Sequence, residues 1–169
     1  MDGPICTIVA GTRDDIPAVR RLANVVWHAY YPGIVPLPQI DYMLARGYSD
    51  DALAKLVRDE GAGLALARAG GDLVGFAAWH RAVEPATTKL DKLYVSMSLH
   101  GHGIGRALIA HVEEAARRDG ARTLILNVAK RNVKAIAAYQ ACGFSTREAT
   151  VIDIGNGFFM DDYVMAKGL

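Results

Sequence analysis

The chain has 169 residues, 51% of them hydrophobic and 22% charged. That is ordinary globular composition; it excludes a disordered protein and fits a single domain over residues 1–169. Nineteen Lys and Arg against eighteen Asp and Glu leave a net charge of +1, which argues against a surface made to coat nucleic acid or an anionic membrane. Apolar runs such as 73–79 fall far short of the ~20 residues that a bilayer span needs. Residues 1–15 carry three Asp and no basic segment, so they do not read as a secretory signal. Cys6 and Cys142 make neither a disulfide framework nor metal-ligand spacing, and both read as small buried hydrophobes. The expectation is a soluble protein of the reducing cytoplasm, without metal.

In chain order, residues 5–10 form a short apolar strand that ends at Gly11. Thr12 then reads as an N-cap, with Asp14 and Asp15 in the first turn. Ile16, Val19, Leu22, Ala23, Val26 and Tyr30 recur at helical spacing. Pro32, Gly33, Pro36 and Pro38 break that helix and leave an aromatic loop around Tyr30 and Tyr31. Two short helices follow, over 38–46 and from the Ser49 cap to Arg58. The period then changes: 63–68 and 73–83 read as a hairpin turning at Gly70-Gly71-Asp72, and 89–96 as a further strand. A helix over 104–119 buries Ile104, Leu108, Val112 and Ala115, carries favourable Glu113–Arg117 and Glu114–Arg118 pairs, and stops at Gly120. Residues 123–128 are a buried strand and 132–142 a helix closed by Gly143. Residues 146–154 and 158–165 form a last hairpin around Gly155-Asn156-Gly157. The order is written βααβββαβαββ, a mixed α/β class around one sheet, with a right-handed crossover expected in the middle.

Two segments carry chemistry. His100-Gly101-His102-Gly103-Ile104-Gly105 lies between a strand and a helix, where free amides and the positive end of the helix dipole favour phosphate. Glycines let a backbone approach that phosphate closely. The loop is neither a Walker loop, since Arg106 and Ala107 follow Gly105, nor the dinucleotide fingerprint, since its glycines are spaced by two. A tight turn without ligand is the alternative. In the second segment Asn132 and Tyr139 are seven residues apart, about two helical turns, so they share one face with the small Ala135 and Ala138 between them. Separately, Asn132 reads as an N-cap and Tyr139 as a half-buried tyrosine with a wet hydroxyl.

Together these segments resemble the GNAT superfamily of acyl-CoA-dependent N-acyltransferases. The family's pyrophosphate loop, Gln/Arg-x-x-Gly-x-Gly/Ala, falls on His100 to Gly105, with His100 in the place of Gln or Arg. The second signature is Asn132, Ala135, Tyr139 and Gly143-Phe144, and the strand Lys92-Leu93-Tyr94-Val95 and the element order match as well. The resemblance implies a sheet splayed at the acyl-CoA site, with pantetheine pairing along Leu93, Tyr94 and Val95 and pyrophosphate on the amides of Gly101, His102, Gly103, Ile104, Gly105 and Arg106. Lys130, Arg131 and Lys134 would cluster near the mouth with Arg106, or form a solvated basic face. Asn132 would bond the pantetheine or the loop, and Tyr139 would donate to the thioester sulfur.

The implied activity is acetyl transfer from acetyl-CoA to a primary amine by direct attack. Tyrosine, with a reference pKa near 10, is protonated at pH 7 and can serve a leaving thiolate as general acid. For the base, family members often use a carboxylate on the central strands. Asp91 and Glu84 are the carboxylates in reach, and His80 is a third choice; Asp91 equally reads as a surface charge paired with Lys89 or Lys92. In this superfamily the first-helix loop and the last hairpin build the acceptor pocket. Here they offer Trp27, Tyr30, Tyr31, Phe158 and Phe159 as walls, with Asp161 and Asp162 to attract a cationic amine, or aromatics in the core and two solvated carboxylates. Loop segments such as Tyr31-Pro32-Gly33 and Met160-Asp161-Asp162-Tyr163 are similar to bacterial polyamine acetyltransferases. Alternatives are a protein or peptide acceptor and a non-catalytic acyl-CoA-binding module. His100 and His102 as metal ligands lack a third partner. The acyl chain length and a homodimer are left open.

Overall fold

The computed structural model describes residues 5–169; residues 1–4, and with them the start of the 1–15 segment, lie outside the described residues. A seven-stranded sheet in the order β1-β2-β3-β4-β5-β7-β6 organises the chain. Its strands are β1 (Cys6–Ala10), β2 (Gly63–Ala69), β3 (Asp72–Arg81), β4 (Thr87–Val95), β5 (Thr123–Ala129), β6 (Ser145–Gly155) and β7 (Phe158–Gly168). The helices are α1 (Ile16–Tyr30), α2 (Leu37–Gly47), α3 (Asp50–Arg58), α4 (Ile104–Arg118) and α5 (Val133–Ala141). Three helices separate β1 from β2, as the residue-by-residue reading gives; the written order βααβββαβαββ leaves one of them out. Thr12 heads a single 3-10 turn, its amide bonded to the Asp15 carboxylate at 2.8 Å, and α1 begins only after it. Ser49 caps α3 as expected, accepting from the Ala52 amide.

Side-chain alternation along the strands divides the core in two. Leu64, Leu66, Phe76 and Ala78 pack under α1 to α3. Ala65, Ala67, Ala77 and Trp79 face the other way, toward Ile104, Leu108 and Val112 of α4. The β2–β3 hairpin turns at Gly70 and Gly71, whose φ of 57° and 91° lie in the left-handed region that glycine tolerates.

Two irregularities place the site. In β4, Ala78 of β3 pairs with Lys92 and Trp79 with Leu90, so Asp91 is skipped as a bulge. The parallel pairing of β4 with β5 then ends at Leu90–Leu126. From Asp91 to Val95 the β5-facing edge of β4 has no strand partner, and the sheet splays open.

Candidate active site

A cleft of about 840 Å³ runs through this split. Leu93, Tyr94 and Val95 of β4 line it, and so does the glycine loop apart from His102. Gly101 and Gly103 take φ of 82° and 79°, and Gly103 is the N-cap of α4. A Cβ at Gly101, Gly103 or Gly105 would meet no protein atom within 4 Å. At Gly101 and Gly103 the left-handed φ itself calls for glycine, while Gly105 has neither that conformation nor a close neighbour, and the loop leaves open space beside its backbone. The first amides of α4 have no partner inside the helix and face this space. His100 contributes its ring rather than a long polar chain: Nε2 lies 2.9 Å from the Val95 carbonyl and ties the loop to β4. His102 instead turns its Nδ1 toward the His100 carbonyl. Among the described residues no group of three His, Cys, Asp or Glu is placed to hold a metal.

Asn132 caps α5, accepting from the Ala135 amide at 3.3 Å, and its same oxygen accepts the Tyr30 hydroxyl at 2.7 Å. This side chain is committed to joining the end of α1 to the start of α5. Tyr139, two turns on, lines the cleft half-buried, and Ala135 and Ala138 line it too. Burial pushes the Tyr139 phenol well up, with Tyr31, Cys142 and Tyr30 adding to the effect. Arg106 and Lys134 border the cleft. Lys130 does not; it pairs with Asp161 and lies over the Tyr163 ring. Arg131 is exposed outside the cleft.

The other end of the cleft is aromatic. Trp27 stacks on Tyr31 with ring centroids 4.4 Å apart, and Tyr94 closes against both. Burial raises the Tyr31 phenol to about 12 and also pushes those of Tyr48 and Tyr94 up. Above them α2 is latched to the β6–β7 hairpin. Gln39 Nε2 donates to the Phe159 carbonyl at 2.8 Å, and the Tyr42 hydroxyl donates to the Ile154 carbonyl at 2.7 Å, as does Arg46. Phe158 packs on Tyr42 and Phe159 is exposed, so neither walls the cleft; Ile152, Ile154 and Met160 do.

The carboxylates separate. Asp162 is 4% exposed and lines the cleft, while Asp161 points out toward Lys130. Burial drives the Asp162 carboxyl up, helped by Asp161 and opposed by the Asn127 amide, Lys89 and Lys130. Asp91 also lines the cleft, bound to Lys92 at 2.6 Å with His80 at 4.0 Å. Burial raises its carboxyl, but Lys92, His80 and Lys89 outweigh that and hold it below the usual carboxylate range. Glu84 is not brought to the site: it lies in the β3–β4 loop, bonded to Arg147 at 3.0 Å. Sequence reasoning passed over Asn127 and Tyr48, and named Lys89 and Lys92 only as partners of Asp91 or members of a strand; all four line the cleft. The only polar residue inside the apolar run 124–129 is Asn127, and that was a readable signal.

A strand–glycine-loop–helix unit beside a splayed parallel pair, with a tyrosine in the split, defines an acyl-CoA-dependent transferase. The acetyltransferase (GNAT) family model matches residues 21–144, and the chain belongs to that family, whose acyl donor is acetyl-CoA. It is 35% identical over 114 residues to aminoglycoside N(6')-acetyltransferase type 1 of Stenotrophomonas maltophilia, covering 61% of this chain and 74% of the relative. It is 39% identical over 77 residues to the streptothricin acetyltransferase of Streptomyces lavendulae, covering 46% of this chain and 41% of that one. In fold it matches the crystal structure of PaiA N-acetyltransferase from Thermoplasma acidophilum in complex with coenzyme A at a TM-score of 0.83 and 20% identity, over 98% of this chain and 99% of that one.

Proposed function

We propose that this acetyltransferase acts on a small primary amine, with Tyr139 as general acid. The observation that carries the reading is the latch of α2 onto the β6–β7 hairpin, which roofs an aromatic pocket at the acceptor end of the cleft. A roofed pocket suits a compact acceptor better than a peptide strand, which needs an open groove. Of the two carboxylates lining the cleft, Asp91 is paired with Lys92, whereas Asp162 makes no ion pair and has only the Asn127 amide and the field of Lys89 and Lys130. One free carboxylate suits an acceptor that presents a single ammonium, so polyamines are a less natural fit than monoamines or amines spaced far apart.

The residues fit acetyl-CoA: the amides from Gly101 to Arg106 would hold pyrophosphate, Arg106 and Lys134 the remaining phosphates, and the free edge of β4 the pantetheine. When bound, acetyl-CoA supplies an activated acyl carbon. Tyr139 then donates its proton to the departing sulfur; its raised pKa keeps it protonated across the physiological range.

The test is thiol release from acetyl-CoA with a panel of spermidine, putrescine, free amino acids, aminoglycosides and short peptides. Release with small amines is expected, and Tyr139→Phe should lower kcat by roughly 10²–10⁴ with little change in acetyl-CoA affinity. Release with peptides alone moves the acceptor to proteins; silence across the panel removes the reading.

A further inference from the structure

Among the described residues, three buried side-chain polar atoms have no protein partner: Trp27 Nε1, the Tyr48 hydroxyl and Asp162 Oδ1. All three residues line the same cleft. Leaving such an atom unpaired costs free energy, and a ligand removes that cost when it brings the complementary group. Asp162 is the one carboxylate of the three. We propose that Asp162 takes the proton from the acceptor's ammonium, a role that neither Asp91 nor Glu84 fills. The assignment rests on the amine-acetylating reading above.

The position follows from the sheet. Asp162 sits on β7 opposite Ala129 of β5 and Thr150 of β6, at the end of β5 where the split from β4 is widest. Asn127 of β5 lies beside it, and Tyr31 approaches from the end of α1. The charged groups that face it are Lys89 from β4, Lys130 beyond β5 and Asp161 on its own strand. Their balance, dominated by burial, leaves the carboxyl above its ordinary range and makes it the stronger base. Asp91 has the opposite setting, its charge met by Lys92 and His80.

The protons balance without a further reactant. The ammonium loses one proton to Asp162, and the freed nitrogen lone pair forms the C–N bond as the thioester C–S bond breaks. Tyr139 gives its hydroxyl proton to sulfur, and the nitrogen's second proton restores the phenol. Asp162 passes its own proton to solvent. Two protons leave nitrogen, one ending on sulfur and one in water.

The experiment compares wild type with Asp162→Asn, using an acceptor that the wild type acetylates and a fluorinated analogue whose amine is already neutral at pH 7. With the ordinary amine, kcat/KM at pH 7 should fall at least about 10²-fold and the acid limb of its pH profile should move up to the amine's own pKa. With the fluorinated analogue the variant should run near the wild-type rate, and its Kd for acetyl-CoA should be unchanged. Asp162→Ser replaces the Asn variant if the latter does not fold. An unchanged kcat/KM overturns the assignment. Equal losses on both acceptors overturn it too, since they would make Asp162 an anchor and not a base; so would Asp91→Asn giving the loss and the rescue in its place. A wild type silent toward every amine overturns the underlying reading, an outcome distinct from an active wild type beside an indifferent variant.

Discussion

Asp161 and Asp162 are neighbours in the chain with opposite surroundings. Successive residues of a strand point to opposite faces, so on β7 one carboxylate meets Lys130 and water while the other enters the cleft. The doublet was legible in the sequence as a source of negative charge. Which member points inward depends on the register of β7 against β5 and β6, a tertiary property that the local pattern does not carry. The same limit applies to Asp91, whose parity with Leu93 and Val95 is broken by the bulge. The burial of Asp162 has a measurable sign. Its folded-state pKa is raised, so its favourable contribution is complete below the reference carboxylate value of about 3.9 and is lost as pH climbs through the folded value. The Tm of Asp162→Asn minus that of wild type should therefore grow more positive as pH rises above about 4 and level off beyond the folded-state value. A flat difference would mean that the carboxylate is well solvated.

The elements show which parts of a site a chain announces. The glycine loop and α5 are continuous in sequence, and there spacing alone gave the strand–loop–helix turn and the placement of Tyr139 and Asn132 on one helix face. The acceptor roof is made of segments more than a hundred residues apart: Gln39 and Tyr42 meet Phe159 and Ile154. No local pattern encodes that meeting, although the aromatic loop and the last hairpin were both identifiable as its two halves. Gly155 lies where the halves meet; it has φ of 91°, and a Cβ there would come within 2.6 Å of the Tyr42 hydroxyl. Gly155→Ala should thus loosen the roof. The expected result is a several-fold higher KM for the amine, with acetyl-CoA affinity and most of kcat retained, read by steady-state kinetics and calorimetry.

Across the fold, the two halves of the core share one sheet, and Phe76 is a fully buried member of the half beneath α1 to α3. It supports Tyr94 at 5.6 Å and Tyr48 at 6.1 Å, both of which line the aromatic end of the cleft. Phe76→Ala should cost about 3–5 kcal/mol in urea unfolding, by lost burial and the cavity left behind. It should also impair amine turnover before it impairs acetyl-CoA binding, because the loop and α4 pack on the opposite face.

The last strand in chain order is an inner strand of the sheet: β7 lies between β5 and β6 and carries Asp162. On the ribosome, residues 87–118 emerge with the whole phosphate loop well before residue 162 leaves the exit tunnel. The glycine loop is therefore synthesised well ahead of the strand that inserts beside β5, and the inward-facing carboxylate reaches the cleft only when β7 slots into place. A chain that stops short of β7 leaves β5 without that neighbour and the cleft without Asp162.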